Sequence, residues 1–196
     1  MNHLNKFNGV SSKTSSSNPK SPSLRSIINQ CMHFTTKLKE GSFQFFIVGS
    51  YARGTQSCKS DVDLLLFVDT YEYKQEIDQK FRAFYFTLHK KLHCTPDLNY
   101  PGELISIEEF NNAIEHSITE NISSPELLYD ALVWSSMLLG PQISITRKEH
   151  QLIALKERSL ELMEFWRGCV APNSSLETFI SNKNLYSTVH RRILWI

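Results

Sequence analysis

The stretch FQFFIVGSYARGTQSCKSDVDLLLF, residues 43–67, contains two apolar runs joined by a polar segment. The first run, Phe43–Val48, is aromatic and β-branched, and the second, Leu64–Val68, is apolar throughout. Runs of this length and composition are typical of buried β-strands. The stretch therefore predicts two strands, with Gly49-Ser50 at the end of the first and Asp61-Val62-Asp63 at the start of the second.

Asp61 and Asp63 are separated by one residue at the start of the second predicted strand. Side chains alternate along a strand, so the two carboxylates project to the same face. Two like charges this close repel unless a cation lies between them, and hard carboxylate oxygens suit Mg²⁺ or Mn²⁺. Mg²⁺ is usually held by one or two carboxylates together with water and phosphate oxygens. The pair therefore predicts a divalent metal site whose remaining ligands come from a nucleotide.

The residues after the first predicted strand suit the phosphates of that nucleotide. Gly49 allows a tight turn and a close approach of the backbone to a ligand, while Ser50 offers a hydroxyl and a backbone N–H. A helix that begins near Tyr51 would add the partial positive charge of its N-terminus. Arg53 would add a full positive charge.

Gly49-Ser50, ten intervening residues and then Asp61-x-Asp63 resemble the signature of the minimal nucleotidyltransferases, in the polymerase-β-like superfamily. The resemblance covers roughly residues 24–100 and includes the strand on each side of the motif. It implies an α/β (α+β) fold, with a small mixed β-sheet core flanked by helices. It also implies that ATP or another nucleoside triphosphate is the donor, and that Ser60 belongs to the nucleotide site with Gly49, Ser50 and Arg53.

The resemblance further implies a third acidic residue on a neighbouring strand, which completes the metal site and acts as general base. Asp97, in a strand predicted over Cys94–Tyr100, has this position in the strand order and is the candidate, both as metal ligand and as catalytic base. Glu103, just after the Pro101-Gly102 turn, is the alternative. The sequence does not decide between the two.

Apolar residues at helical spacing predict helices on both sides of this core. The predicted ranges are 24–41, 71–92, 107–118, 125–139, 146–167 and 184–196. Residues 1–22 are rich in Ser, Asn and Lys and predict a disordered tail. The predicted organisation is thus a tail (1–22), a catalytic core (23–103) and a helical bundle without strands (104–196), which would line an acceptor cleft.

Composition excludes several classes of protein. The chain has 21 basic and 20 acidic side chains, a balance that gives no support for a nucleic-acid track. Its four cysteines lack paired spacing and are expected to be reduced thiols. No apolar run approaches the length of a membrane span, and no signal peptide is recognisable. A soluble cytoplasmic protein, monomeric or homodimeric, is expected.

Arg82 and His89 form an R-x6-H pattern that overlaps the ribonuclease motif of the HEPN toxins. Because both residues lie inside a helix of the predicted core rather than in a separate bundle, the pattern is interpreted as a coincidence.

Three functions are compatible with these features. The first is transfer of a nucleoside monophosphate to a hydroxyl of a small molecule, such as an aminoglycoside-like compound or a metabolite, which accounts for the added helices. The second is AMPylation of a partner toxin by an antitoxin, with a protein as acceptor. The third is nucleotide binding without turnover, against which the intact Asp61/Asp63 pair argues.

Overall fold

The computed structural model describes residues 22–40, 43–98, 100–119, 124–146 and 149–182. It has the predicted fold class, a small mixed sheet flanked by helices, followed by further helices. The elements are α1 (Leu24–Thr35), β1 (Phe43–Ile47), α2 (Gly49–Arg53), β2 (Leu64–Val68), α3 (Tyr71–Leu92), β3 (Glu103–Ser106), α4 (Ile107–Ser117), α5 (Pro125–Leu139), β4 (Ile143–Ser144), α6 (Glu149–Val170) and α7 (Leu176–Ser181).

The four strands lie in the order β3-β2-β1-β4. β1 and β2 are antiparallel, with Phe43 opposite Val68 and Ile47 opposite Leu64. β2 and β3 are parallel and are connected through α3, as a parallel pair requires a crossover. β4 is antiparallel to the other edge of β1. The two strands predicted from the sequence are therefore the central pair of the sheet.

Each face of the sheet is covered by its own layer of helices. Phe45, Ile47 and Leu66 face α1 and α3, whereas Phe46, Leu65 and Phe67 face α4, α5 and α6. Every residue of β1 and β2 is buried as a result. Burial on both faces explains why these strands are continuous apolar runs instead of alternating ones.

Two expectations about strands are incorrect. Residues 94–98 have no regular secondary structure, so Asp97 does not lie on a strand; the third strand begins instead at Glu103. Pro96 and Pro101 lack the N–H that a strand donates, which accounts for the later start. The expectation of helices alone after residue 103 is also wrong, because β3 and β4 both join the sheet from that region.

The long helices agree well with the predicted ranges. α3 has the predicted bounds, and α5 begins with Pro125 after Ser124, whose side chain accepts the Leu127 N–H. The described part of α6 begins at Glu149, and Thr146, the first residue of the predicted range, is not helical; its Oγ1 accepts the N–H of Phe45 on the edge of β1. The predicted tail, except for its last residue, and the predicted helix over 184–196 lie outside the described residues. Within the part of the chain that is described, no helix is both long and apolar enough to span a bilayer.

Candidate active site

Gly49 and Asp63 bring the two halves of the motif into direct contact. The Val48 N–H donates to the Asp63 carbonyl at 3.0 Å, which extends the β1–β2 ladder by one bond. Gly49 has a φ of +66°, and a Cβ added to it would overlap the Asp63 carboxylate. Position 49 therefore requires glycine twice, for its backbone conformation and for the space that Asp63 occupies.

Asp61 and Asp63 flank a fully buried residue, Val62. Val62 belongs to the core that faces α1 and α3, whereas Leu65 belongs to the core that faces α4–α6. The opposite placement of Val62 and Leu65 fits an alternation that continues back from β2, which begins at Leu64. The shared face of the two carboxylates stays a prediction, since the described contacts place only the Asp63 side chain, against Gly49.

Ser50, the residue after Gly49, has a hydroxyl without a protein partner. Its Oγ is enclosed and has no hydrogen-bond partner among the described residues. A buried hydroxyl without a partner is costly, and such a group in a native protein usually meets a ligand or water. The position next to Asp63 makes this hydroxyl a candidate ligand contact.

Arg53 and Ser60, the other predicted nucleotide contacts, lie further out. Arg53 is exposed at the last residue of α2, after which Gly54 ends the helix in the left-handed conformation. Ser60 closes a turn in which its Oγ accepts the N–H of Ser57 at 2.9 Å. The hydroxyl of Ser60 therefore has a structural role in the loop that leads to Asp61.

Asp97 lies in the irregular segment between α3 and β3, where hydrogen bonds of its backbone and of its side chain restrain it. Its N–H donates to the Tyr85 hydroxyl at 2.9 Å, and its Oδ1 accepts the Tyr100 N–H at 3.1 Å. Burial raises the pKa of Tyr85 to about 12, and the charges of Asp61, Asp97 and Asp63 contribute to the increase. The negative charges of all three aspartates therefore act on the Tyr85 hydroxyl, although Asp97 is not on a strand.

Glu103, the alternative third carboxylate, is the first residue of β3. It is opposite Leu65 in the parallel register and so shares the face of Asp63. Its Oε2 accepts the indole N–H of Trp134 on α5 at 3.2 Å. Burial raises the pKa of Glu103, as does the charge of Asp130, against the opposing effects of the Trp134 bond and of Lys74.

Residues 31–124 match the family model described as "Nucleotidyltransferase domain". The chain contains a nucleotidyltransferase domain. The matched region includes the Gly49-Ser50 turn, both motif aspartates, Asp97 and Glu103, and the protein belongs with the nucleotidyltransferase enzymes.

Two other comparisons add little to this assignment. A solved structure described as "Crystal structure of the toxin-antitoxin with AMP-PNP" aligns with a TM-score of 0.42 and 11% identity, over 72% of this chain and 90% of that chain. A likeness at this level identifies neither a partner nor a ligand for the present chain. No curated protein matches the sequence.

The donor groups of the nucleotidyltransferase domain suit a divalent metal that a substrate helps to bind. Among the described residues, no group of three or more His, Cys, Asp or Glu side chains is arranged to hold a metal ion alone. Asp61 and Asp63 offer hard oxygen ligands, and Asp63 lies against Gly49, the residue before Ser50. Two carboxylates with phosphate and water as further ligands are a usual set for Mg²⁺.

Arg82 and His89 do not form a joint site in the nucleotidyltransferase domain. Arg82 is exposed and pairs with Asp78 one turn earlier on α3, at 2.9 Å. His89 is completely buried and bonds the backbone of Val62. The two side chains of the R-x6-H pattern therefore have separate partners, and His89 is a contact of the motif that the sequence interpretation overlooked. Its place beside Leu88 on the apolar side of α3 was the available signal.

Proposed function

We propose that the protein transfers a nucleoside monophosphate, AMP from ATP, to a hydroxyl of a small-molecule acceptor and releases pyrophosphate. One observation carries the proposal: the Asp63 carboxylate is fitted against Gly49, and the hydroxyl of the next residue, Ser50, is enclosed without a hydrogen-bond partner among the described residues. This arrangement offers candidate metal ligands and a candidate phosphate contact on two segments that touch at Gly49 and Asp63.

The proposed donor site is built from β1, α2 and β2. The Gly49 backbone and the Ser50 hydroxyl would contact the β- and γ-phosphates, and Arg53 would approach from the rim of the site. Asp61 and Asp63 would hold Mg²⁺ or Mn²⁺, and the bound ion would supply positive charge that offsets the charge developing on the phosphate oxygens.

Asp97 is the proposed general base. The acceptor oxygen attacks the α-phosphorus in line and forms a new O–P bond, while the bond from the α-phosphorus to the bridging oxygen breaks. The electron pair leaves with pyrophosphate, and the hydroxyl proton passes to the Asp97 carboxylate. Asp97 is preferred to Glu103 because its charge acts on the Tyr85 hydroxyl together with the charges of both motif aspartates, which supports a common location for the three carboxylates.

The acceptor would bind between the catalytic core (23–103) and the helical region (104–196). Glu103 on β3 and Asp130 and Glu126 on α5 form an acidic group beside the Trp134 indole, in which the pKa values of Glu103 and Asp130 are raised by burial and by neighbouring carboxylates. Clustered carboxylates next to an aromatic ring favour a hydroxylated molecule that also carries amino groups.

The test is transfer of radiolabel from each of the four α-labelled nucleoside triphosphates, with Mg²⁺, to a panel of hydroxylated amines and neutral polyols. We expect one nucleotide to label one class of acceptor, and Asp63→Asn to lower kcat at least about a hundredfold without unfolding the protein. Wild-type activity in Asp63→Asn would refute the metal assignment. Labelling of protein alone would replace the small molecule with a protein acceptor. Failure of every nucleotide to label any acceptor would reject the transfer reaction.

A further inference from the structure

We infer that Tyr85 and His89, one turn apart on α3, are positioning residues that fix the backbone of the two segments bearing the proposed catalytic aspartates. His89 holds the Asp61-Val62-Asp63 segment through Val62, and Tyr85 holds the segment of Asp97. The inference rests on the proposed function, because it assigns a purpose to contacts with the residues proposed to act in transfer.

His89 is bonded at both ring nitrogens within the core. Its Nδ1 lies 2.8 Å from the carbonyl oxygen of Tyr85, one turn earlier, and its Nε2 lies 2.9 Å from the backbone nitrogen of Val62. A carbonyl oxygen can only accept, so Nδ1 carries the proton and Nε2 accepts the Val62 N–H. Both residues are 0% exposed, so no water substitutes for this bond.

Tyr85 makes the equivalent contact with the other segment. Its ring packs on the His89 ring, with centroids 4.1 Å apart, and its hydroxyl accepts the Asp97 N–H at 2.9 Å. Residues four apart lie on the same face of a helix. One turn of α3 therefore holds both segments, which are joined to each other by neither a strand pair nor a short turn.

α3 is a firm support for this purpose. The Thr70 side chain caps its N-terminus by accepting the Tyr73 N–H, and Ile77, Phe81 and Leu88 are buried against the sheet. The aspartates on either side of Val62 repel each other, so their backbone needs an external restraint to keep a fixed geometry. An error of about 1 Å in the position of reacting groups costs about a hundredfold in rate.

A matched pair of substitutions separates positioning from simple core packing. In His89→Gln, the amide oxygen replaces Nε2 as acceptor at a similar distance from the backbone. His89→Met has a side chain of similar length and volume but offers no comparable acceptor. Tyr85→Phe removes only the hydroxyl that accepts the Asp97 N–H. Leu162→Ala, in the core of α6, serves as a variant that loses stability without touching either segment.

The first readout is amide hydrogen exchange, which does not depend on turnover. We expect His89→Met to speed exchange at Val62 at least tenfold beyond the global change, and His89→Gln to restore most of the protection. Tyr85→Phe should do the same at Asp97 and leave Val62 protected. Leu162→Ala should change both amides only in proportion to its loss of global stability.

The second readout is steady-state kinetics with the acceptor found in the transfer assay. His89→Met should lower kcat about 30-fold or more with less than a threefold change in the nucleotide KM, and His89→Gln should recover to within about fivefold of wild type. Equal kcat in the two His89 variants, or unchanged Val62 exchange in His89→Met, would overturn the inference. If His89→Met does not fold, Tyr85→Phe decides by the same criteria at Asp97. If the wild type transfers no nucleotide, the proposed function fails, while hydrogen exchange still tests the restraint itself.

Discussion

The hydroxyl of Ser50 is enclosed without a hydrogen-bond partner among the described residues, and the partner proposed for it is a nucleotide phosphate. Because its Oγ has no partner among the described residues, Ser50→Ala should leave the free energy of unfolding unchanged or raise it by up to about 1 kcal/mol. The same change should lower kcat/KM for the nucleotide about tenfold or more, since a contact to phosphate is lost. Denaturant titration and steady-state kinetics measure the two effects.

Ser159 provides the matched control for that prediction. Ser159 is a fully buried serine, and its Oγ, unlike that of Ser50, has a protein partner, since it donates to the Leu155 carbonyl at 2.8 Å. Ser159→Ala should cost about 1 kcal/mol of stability and leave kcat/KM unaltered. A stability loss in Ser50→Ala as large as in Ser159→Ala would contradict the assignment of Ser50 to a ligand.

Alanine substitutions at Gly49 and Gly54 distinguish the effect of backbone strain from the effect of steric overlap. Both have positive φ, but an added Cβ meets nothing within 4 Å at Gly54, whereas at Gly49 it overlaps Asp63. Gly54→Ala should therefore cost about 1 kcal/mol and retain activity, while Gly49→Ala should cost more and abolish transfer by displacing the Asp63 carboxylate. Thermal unfolding and the transfer assay test the pair, and equal activity in the two variants would show that Asp63 does not depend on Gly49.

The charged form of Glu103 lowers the free energy of unfolding. Burial raises its pKa, so ionisation is easier in the unfolded chain, and the resulting loss of stability grows as the pH rises through the ordinary range of a glutamate. Glu103→Gln keeps an acceptor for Trp134 without the charge. It should raise the free energy of unfolding at pH 7.5 and have little effect at pH 4, where the carboxyl group is protonated. An equal change at both pH values would attribute the effect to packing.

At the scale of elements, α4 begins directly at the end of β3 without a loop. Ser106 Oγ accepts the Glu109 N–H at 3.1 Å, and Glu109 Oε2 accepts the Ser106 N–H at 2.9 Å, which forms a capping box at a fully buried residue. Ser106→Ala should cost about 1–2 kcal/mol, more than Ser124→Ala at the partly exposed cap of α5. Denaturant unfolding of the two variants compares them, and equal losses would show that burial adds nothing to the cap.

The elements that sequence reasoning predicts well are those with local signals. β1 and β2 are buried on both faces and are recognisable as apolar runs, while Ser124-Pro125 marks the start of α5 within the chain itself. The strand predicted over 94–100 does not form, because prolines lack the N–H that a strand donates and the segment is too short to compensate for that loss. β4 has two residues, and its pairing of Ser144 with Phe46 joins positions about a hundred residues apart, so no local pattern contains it.

The same distinction applies to the candidate site. Asp61, Asp63, Gly49 and Ser50 could be named as candidates because they lie next to two recognisable strands in one continuous segment. The contact of His89 with Val62 spans 27 residues and depends on how α3 lies on the sheet. A buried histidine in a helix has many possible partners, and only the packed structure selects the backbone of the motif.

At the scale of the whole molecule, the nucleotidyltransferase sheet depends on helices beyond the matched region. Phe46, Val48, Leu65, Phe67 and Ile105 are buried against side chains of α4, α5 and α6. The match ends at residue 124, before α5 and α6 begin. Removing the chain after residue 124 would remove α5, β4 and α6 together. It would expose much of an apolar sheet face and would leave the edge of β1 without β4.

Truncation after residue 124 should therefore prevent stable folding. Each large apolar side chain contributes about 2 kcal/mol when buried, so exposing the sheet face costs up to about 10 kcal/mol. The net stability of a domain is only about 5–15 kcal/mol. We expect residues 1–124 to bind a hydrophobic dye, to lack a cooperative thermal transition and to aggregate, whereas the full chain unfolds cooperatively. A monomeric 1–124 fragment with a sharp transition would show instead that the core is an independent domain, and that the helical region serves the acceptor alone.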